Sequence, residues 1–298
     1  MELKVLTYNV DGLPSYLDLR NLPWWLQFVR WIYQLIKNTT LVKINDNDNQ
    51  APYSIGNYLY GSEADIIAVQ EDFNYHGEIS YSLEDIYFSL IHTGKINFKN
   101  IKWFPYPRFK ADGLCLFVKK HLLHKVEERF QKWDKSNGYF SHANDLLTTK
   151  GFRYYQLYMN GLFINIFNIH MDADFYNGKN DVTKDIEARR FQFKQLVGSI
   201  KNINNDYPII IMGDTNSYNK YDWDVDNIKV NLIHELAHES KFDIQEAIPN
   251  NFSDCDRIFY INNAKSKVKL KLKECHFDTD TKLSDHFPLI ATFTVNEE

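Results

Sequence analysis

The stretch that decides the fold is IIIMGDTNS, residues 209–217. Its apolar beginning follows a polar turn sequence, which predicts a short buried strand. The strand ends at Gly213, and the polar residues Asp214 and Asn216 follow. Residues two apart at a strand end can point the same way, so a carboxylate and a carboxamide would face a common pocket. Both groups offer oxygen ligands of the kind that Mg²⁺ accepts, although Asp and Asn are also ordinary turn residues.

The composition is that of a folded protein. The chain has 298 residues, of which 44% are hydrophobic and 24% charged, so it can bury a large core. Its net charge of −5 argues against a nucleic-acid coat protein, but a nuclease remains open because a bound metal can offset local negative charge. The three cysteines include no CxxC pair, so their spacing predicts neither a disulfide framework nor a zinc site.

The beginning of the chain shows no targeting segment. MELK leads directly into an apolar run at residues 5–10, without a signal-peptide pattern. No stretch reaches about 18 consecutive apolar residues, so we expect no membrane span. We expect a cytoplasmic or peripheral membrane location, or secretion if the natural protein carries a leader that is lacking here. We find no repeat and no clean linker, which predicts a single domain over residues 1–298.

An aromatic-rich insertion at about residues 15–60 interrupts this predicted domain. Within it, residues 22–36 read LPWWLQFVRWIYQLI, where Pro23 suits the first turn of a helix and Arg30 carries the only charge after it. One hypothesis is a helix packed on the core. The other is a surface helix that makes a peripheral membrane contact, since Trp and Tyr are favoured at membrane interfaces. The sequence leaves both open.

Other segments predict alternating strands and helices. Asn-Gly at 160–161 lies between two strand-like runs and predicts a hairpin over residues 154–169. Apolar residues at helical spacing predict a helix over residues 185–200. Alternating lysines over residues 265–273 predict an exposed strand with a lysine face. Apolar residues on one side of a helix likewise predict a further helix over residues 231–247.

The last of these helices contains HELAH at residues 234–238, a literal match to the zinc-protease motif HExxH. That motif needs a third metal ligand, and so short a pattern also arises by chance. No other feature of the sequence supports a zinc protease, and a rival set of metal ligands exists. We therefore disfavour this interpretation.

That rival set consists of polar residues at the tips of predicted strands. Each residue alone is a weak signal, because polar residues are common at strand ends. Together they supply carboxylates and amides for a hard metal, two histidines, and an aspartate to orient one histidine. Metal-assisted attack of water on phosphorus needs these groups. The residues are Asn9, Glu71, His170, Asp214, Asn216, Asp256, Asp285 and His286.

The motifs that carry these residues resemble those of the endonuclease/exonuclease/phosphatase superfamily, which has the fold of DNase I, neutral sphingomyelinases and inositol-polyphosphate 5-phosphatases. The resemblance spans nearly the whole chain in the family's order. It implies an α/β fold, a four-layer sandwich in which two packed mixed β-sheets are flanked by helices. The matching motifs are TYN at 7–9, QE at 70–71, NIH at 168–170, GDTN at 213–216, CDRI at 255–258 and SDH at 284–286.

The resemblance also implies a metal site. Glu71 would be the principal Mg²⁺ ligand, with Asn9 beside it. Asp285 would assist the metal or its waters. Mn²⁺ or Co²⁺ would be expected to substitute for Mg²⁺.

The same resemblance implies the catalytic roles. His286 would be the general base that takes a proton from the attacking water, and Asp256 would orient it and stabilise its charged form. Asp214 and Asn216 would hold the nucleophile and a phosphoryl oxygen. His170 would contact the phosphoryl oxygens and stabilise the transition state. A metal-bound water is one candidate for protonating the leaving oxygen.

The branch of the superfamily is less clear from the motifs. HMDA at residues 170–173, followed by ARR at 188–190, resembles sphingomyelinase-type and bacterial members. CDRI at 255–258 is similar to the 5-phosphatases, but GDTNS at 213–217 lacks their usual GDLNYR form. Abasic-site nucleases usually carry a basic DNA-binding face, whereas this chain is acidic overall.

We therefore predict a Mg²⁺-dependent phosphodiesterase of the sphingomyelinase type, acting as a monomer on a phospholipid. The alternatives are a DNase I-like endonuclease or exonuclease with a nucleic-acid substrate, and an inositol-polyphosphate 5-phosphatase. A binding module without activity is disfavoured, because every expected catalytic position is filled.

Overall fold

The computed structural model of the chain describes ten segments. The aromatic stretch 22–36, most of the insertion 15–60 and the HELAH sequence lie outside them. The described residues are 1–12, 51–73, 75–90, 112–136, 149–173, 183–203, 206–217, 244–251, 254–263 and 266–297.

The described residues contain twelve strands and three helices. The strands are β1 (Glu2–Asn9), β2 (Ile66–Gln70), β3 (Tyr87–Leu90), β4 (Cys115–Lys119), β5 (Leu123–Lys132), β6 (Gly151–Met159), β7 (Leu162–His170), β8 (Ile209–Asp214), β9 (Ile244–Glu246), β10 (Asp256–Ile261), β11 (Val268–Phe277) and β12 (Leu289–Glu297). The helices are α1 (Ala51–Gly61), α2 (His76–Leu83) and α3 (Thr183–Asn202).

The strands form two six-stranded mixed sheets within the described part of the chain. The first sheet has the order β11-β12-β1-β2-β4-β3, and the second has the order β5-β6-β7-β8-β10-β9. The pairs β1–β2 and β7–β8 are parallel, and the other described pairs are antiparallel. A parallel pair needs a crossover connection, and α3 supplies the one between β7 and β8.

Helices cover both outer faces of the paired sheets. The central core lies between the sheets and includes Val5 of β1 and Ile166 of β7. On the outer face of the first sheet, Leu6 of β1 packs in one cluster with residues of α1 and α2. Phe167 of β7 packs with α3 on the outer face of the second sheet. The central strands are therefore buried on both faces, which explains their continuous apolar runs. The predicted four-layer sandwich is confirmed.

Most of the predicted elements are found as expected. The hairpin is β6–β7, the predicted helix 185–200 is α3, and the lysine strand is β11 at the edge of the first sheet. The helix predicted over residues 231–247 is wrong at its end, because Ile244–Glu246 pairs with β10 as an edge strand. Pairing with an available sheet edge outweighs the local periodicity there. No helix among the described residues is long and apolar enough to cross a bilayer.

Candidate active site

The polar residues at the strand tips gather at one end of the space between the sheets. Alternate residues of each central strand face this space, so the order of apolar and polar residues along a strand determines which parts of the space are apolar or polar. In β7, Ile164 and Ile166 join the central apolar core, Asn168 follows, and His170 ends the strand. The inter-sheet space thus passes from an apolar core, through a polar layer, to the candidate site.

The second sheet contributes three site residues in one row. Asp214 of β8 lies opposite His170 of β7 in the parallel ladder and opposite Asp256 of β10 in the antiparallel ladder. All three are buried. Because the ladders fix this register, two carboxylates and an imidazole stand side by side on the face that looks toward the first sheet.

The first sheet contributes Asn9 and Glu71. Asn9 ends β1, and Glu71 follows β2 with φ of 58°, in the left-handed region that side chains other than glycine rarely adopt. The Asn9 amide nitrogen donates to Glu71 Oε1 at 3.3 Å and to Asp214 Oδ2 at 3.0 Å. One amide therefore joins a carboxylate from each sheet.

His286 and Asp256 form a hydrogen-bonded pair at this end of the sheets. His286 Nδ1 lies 2.5 Å from Asp256 Oδ2, and the other ring nitrogen, Nε2, lies 3.9 Å from Asp214 Oδ2. Burial alone would lower the pKa of His286, but attraction to Asp256 and their hydrogen bond outweigh it and raise that pKa well above the ordinary value. Asp256 thus holds His286 by Nδ1 and leaves Nε2 directed toward the centre of the site.

Asp285 lies at the rim of the site. Its side chain is 70% exposed, and its Oδ1 atom is 4.0 Å from His286 Nε2. The neighbouring Ser284 hydroxyl donates to the backbone carbonyl of Asn9 at 2.8 Å, which ties this loop to the end of β1. Asp285 is therefore near the predicted metal ligands without being buried among them, and its assisting role stays a prediction.

Asn216 forms a turn with Asp214 and also contacts the Asp214 carboxylate through its side chain. Its backbone N–H donates to Asp214 Oδ1 at 2.8 Å, which is an Asx turn. Its side-chain amide donates to Asp214 Oδ2 at 3.1 Å and to the Met171 carbonyl at 3.0 Å. Asn216 therefore fixes the Asp214 carboxylate, and its contact with a phosphoryl oxygen stays a prediction.

His170 is a buried neutral imidazole. Its Nε2 lies 3.5 Å from Asp214 Oδ2 and 3.7 Å from Glu71 Oε1. Neither ring nitrogen has a hydrogen-bond partner among the described residues. Burial, followed by repulsion from Lys150, lowers the pKa of His170 well below its ordinary value. The ring therefore keeps hydrogen-bonding capacity that a bound group could use.

Lys150 is a site residue that the sequence analysis missed. It is buried just before β6, and its Nζ donates to the Met171 carbonyl at 3.2 Å. Its positive charge acts to lower the pKa of both Glu71 and Asp214. The sequence offered little signal for it, because only the pairing of β6 with β7 brings its position to this end of the sheets.

The donors at this end of the sheets fit a hard divalent cation. Burial raises the pKa of Glu71 to about 7, against the opposing attraction of Lys150. Asp214 is also buried, but attraction to His286, His170 and Lys150 overcomes burial and lowers its pKa to about 2. Carboxylates gathered in this way are typical ligands of Mg²⁺, and a cation would offset the cost of burying the Glu71 charge.

Comparison with known proteins identifies the class. The family model described as "Endonuclease/Exonuclease/phosphatase family" matches residues 6–286. The chain belongs to this family, as its motifs predicted. It is therefore a metal-dependent hydrolase that cleaves phosphoesters. No curated protein gave a significant match.

Solved structures with the same fold act on different substrates. TDP2 from D. rerio, crystallised with a single-strand DNA product, has a TM-score of 0.62 at 14% identity over 98% of this chain and 99% of its own. Sphingomyelinase C from Streptomyces griseocarneus has a TM-score of 0.61 at 15% identity, over 99% and 100%. A beta toxin variant from Staphylococcus aureus with bound magnesium ions has a TM-score of 0.60 at 15% identity, over 98% and 99%. At these identities the similarity establishes the fold alone.

Proposed function

We propose that the chain is a Mg²⁺-dependent phosphodiesterase of the sphingomyelinase type. One observation supports hydrolysis by an activated water molecule as the reaction type. His286, fixed by Asp256 through Nδ1, directs Nε2 toward Asp214 at the end of the sandwich where Glu71 and Asn9 also lie. A base held in one orientation beside a set of cation ligands is what hydrolysis by an activated water requires.

Glu71 would hold the metal, with Asn9 beside it and Asp285 assisting from the rim. When bound, Mg²⁺ would polarise a phosphoryl oxygen and lower the pKa of a water molecule. Mn²⁺ or Co²⁺ would substitute, because the donors are oxygen atoms that each of these ions accepts. Removal of divalent ions with a chelator should abolish hydrolysis, and adding Mg²⁺ should restore it.

The protein's own groups would move the proton. Neutral His286 accepts it at Nε2 as the water oxygen forms its bond to phosphorus and the bond to the leaving oxygen breaks. The leaving oxygen takes up a proton in turn, so the products are an alcohol and a phosphomonoester. Asp256 stabilises the imidazolium, and Asp214, held by Asn216, orients the attacking water.

Two further residues would contact the phosphoryl group. His170 is neutral and has hydrogen-bonding capacity that the described residues do not use. Lys150 brings a buried positive charge close to Glu71 and Asp214. Preorganised donors and charges of this kind stabilise charge that develops in the transition state.

The preference for a phospholipid rests on motif resemblance. HMDA at residues 170–173 is similar to sphingomyelinase-type members, and a sphingomyelinase C is among the solved structures with this fold. The net charge of −5 supports a lipid over a duplex groove. A nucleic-acid diester is the second candidate, because an equally similar structure holds a DNA product.

A side-by-side assay tests the substrate. The purified chain with Mg²⁺ is incubated with sphingomyelin vesicles, plasmid and single-stranded DNA, and inositol polyphosphates. We expect phosphocholine release from the vesicles. DNA cleavage without lipid turnover would replace this proposal with the nuclease alternative. Glu71→Gln at limiting Mg²⁺ and His286→Ala serve as controls with strongly reduced activity, so that a contaminating hydrolase cannot account for the result.

We further propose that residues 22–36 contact the lipid surface of a monomeric enzyme. Replacing Trp24 and Trp25 with Ala should weaken sedimentation with sphingomyelin vesicles and spare hydrolysis of a soluble phosphodiester. A lower melting temperature with unchanged vesicle binding would instead assign this stretch to the core, where losing a large aromatic costs ~3–5 kcal/mol.

A further inference from the structure

A second group of metal-ligating side chains lies behind the site, on the first sheet. Asp72 comes directly after Glu71, His76 begins α2, and Cys115 begins β4. One ligand atom from each lies within 4.8 Å of the other two. Asp72 and Cys115 are fully buried, whereas the His76 side chain is 23% exposed. The cluster therefore has a closed interior and one opening toward solvent.

The polar atoms of this cluster are incompletely paired. His76 Nδ1 lies 2.6 Å from Asp72 Oδ2, but the second carboxylate oxygen, Oδ1, is buried without a hydrogen-bond partner in the described part of the chain. The Cys115 thiol has the Ser89 hydroxyl as a neighbour at 3.6 Å. A buried carboxylate oxygen without a partner is costly and commonly marks a missing ion or water.

We propose that Asp72, His76 and Cys115 bind a zinc ion. A thiolate, an imidazole and a carboxylate form a mixed sulfur, nitrogen and oxygen set, which suits Zn²⁺ and not Mg²⁺. A water molecule reaching the site from the partly exposed His76 side would complete the tetrahedron. The cluster is thus chemically distinct from the oxygen donors around Glu71 and goes beyond the hydrolytic reaction.

The geometry permits this site with small side-chain movements. Tetrahedral zinc with bonds of 2.0–2.3 Å sets its ligand atoms about 3.4–3.6 Å apart. The pair formed by Asp72 and His76, now 2.6 Å apart, would open by roughly 0.8 Å. Any two ligand atoms of the cluster that are as much as 4.8 Å apart would move closer by roughly 1.2 Å. Both changes are within the reach of side-chain rotation.

Such a zinc would fix the turn that carries Glu71. The Phe73 N–H donates to the Glu71 carbonyl at 2.8 Å, and the Asp72 N–H donates to the Gly113 carbonyl at 2.9 Å. The ion would add a link from this turn to α2 and β4. Since Glu71 has a left-handed backbone conformation, additional restraint on the turn would help hold its carboxylate in position.

Cobalt titration of the full chain tests the proposal. Co²⁺ replaces zinc, and its bond to a thiolate gives a charge-transfer band in the near ultraviolet that oxygen ligands do not give. With reduced protein and excess Mg²⁺, we expect one equivalent of thiolate-bound cobalt that Zn²⁺ displaces. Cys115→Ser should abolish the band, whereas Cys275→Ser, a buried cysteine elsewhere, should keep it. Absence of the band in the wild-type chain overturns the proposal.

Two further variants complete the test. Cys255 lies beside His286 and Asp214, so loss of the band in Cys255→Ser with retention in Cys115→Ser would assign the cobalt to the hydrolytic site and overturn the proposal. His76→Gln, at the partly exposed ligand, should weaken cobalt binding on the order of tenfold or more, and unchanged affinity would contradict the assignment. This variant decides the matter if Cys115→Ser fails to fold.

Discussion

Replacing Asp256 with Asn tests the link between the His286–Asp256 pair and catalysis. The substitution keeps the shape of the side chain and removes its charge. In the wild-type chain, Asp256 Oδ2 lies 2.5 Å from His286 Nδ1, and the Asp256 side chain is fully buried. The attraction of this carboxylate is the main reason that the pKa of His286 is raised despite burial.

The stability cost of this change should be moderate at neutral and alkaline pH. Removing one partner of a buried ion pair costs ~3–5 kcal/mol when the other partner must stay charged. His286 can instead lose its proton and keep a weaker, uncharged hydrogen bond from Nδ1–H to the amide oxygen, so we expect a cost of about 1 kcal/mol. Burial also raises the pKa of Asp256 to about 6, so the ion pair is complete only between that pH and the raised pKa of His286. This contribution is lost as pH rises through the folded-state pKa, so the cost should shrink toward alkaline pH.

The same substitution should also shift the pH dependence of the hydrolysis rate. A general base must be neutral, so hydrolysis should rise with pH through the pKa of His286. In Asp256→Asn, burial lowers that pKa without opposition from the carboxylate, and the acid limb should move to lower pH. The maximal rate should still fall, on the order of 10²-fold, because the imidazolium loses its stabilising charge. His286→Ala should lose ~10²–10⁴-fold.

Initial rates from acid to alkaline pH at saturating Mg²⁺, together with urea unfolding, measure both effects. Asp254→Asn is the matched control. Asp254 is an aspartate of the same segment whose Oδ1 accepts from the Cys255 N–H, a bond that an amide oxygen can also make. An acid limb that stays in place in Asp256→Asn, or moves equally in Asp254→Asn, would refute the assignment of His286 as the base.

Three further predictions concern the metal ligand, the polar layer and a glycine. Glu71→Gln should raise the Mg²⁺ concentration needed for half-maximal activity, because a neutral amide replaces the carboxylate, and an unchanged Mg²⁺ dependence would contradict its role. Asn168→Ala removes three buried hydrogen bonds, at about 1 kcal/mol each, so urea unfolding should show a loss of at least about 3 kcal/mol. Gly213→Ala should cost more than about 1 kcal/mol and reduce activity, since φ is 141° and a Cβ atom would lie 2.0 Å from the Ile169 carbonyl oxygen. Gly198→Ala, in an open position on α3, should instead be neutral or stabilising by up to ~1 kcal/mol in the same urea-unfolding experiment.

The layers of the fold were implied by the family resemblance, whereas the individual buried strands could be predicted because burial imposes strong patterns. Residues 209–212 of β8 are continuously apolar because α3 covers one face of the strand and the first sheet covers the other. Asn9, His170 and Asp256 were placed near the ends of predicted strands by the sequence pattern, and the family resemblance implied that they share one site. Residues 244–246 were mispredicted as helix because their strand pairing depends on an edge distant in sequence.

Other features of the site leave little trace in the sequence. Lys150 is one lysine among many, and only the register of β6 beside β7 brings it near Glu71. The left-handed backbone of Glu71 is set by the tight turn after β2, and glutamate has no local preference for that conformation. Cys115 is 43 residues from Asp72 along the chain (115 − 72), so no short motif joins them.

The polar layer beneath the site explains how the two sheets keep a common register. An apolar interface alone tolerates some sliding, because hydrophobic contacts are non-directional. Asn168 of the second sheet crosses the interface, accepting from Gln70 Nε2 at 2.7 Å and donating to the Val69 and Cys115 carbonyls of the first sheet. These bonds are directional and buried, so any slip would leave their partners unsatisfied. Two residues beyond Asn168 stands His170, and one beyond Gln70 stands Glu71. The layer therefore fixes the distance between Glu71, the proposed metal ligand on one sheet, and the row of candidate catalytic groups on the other.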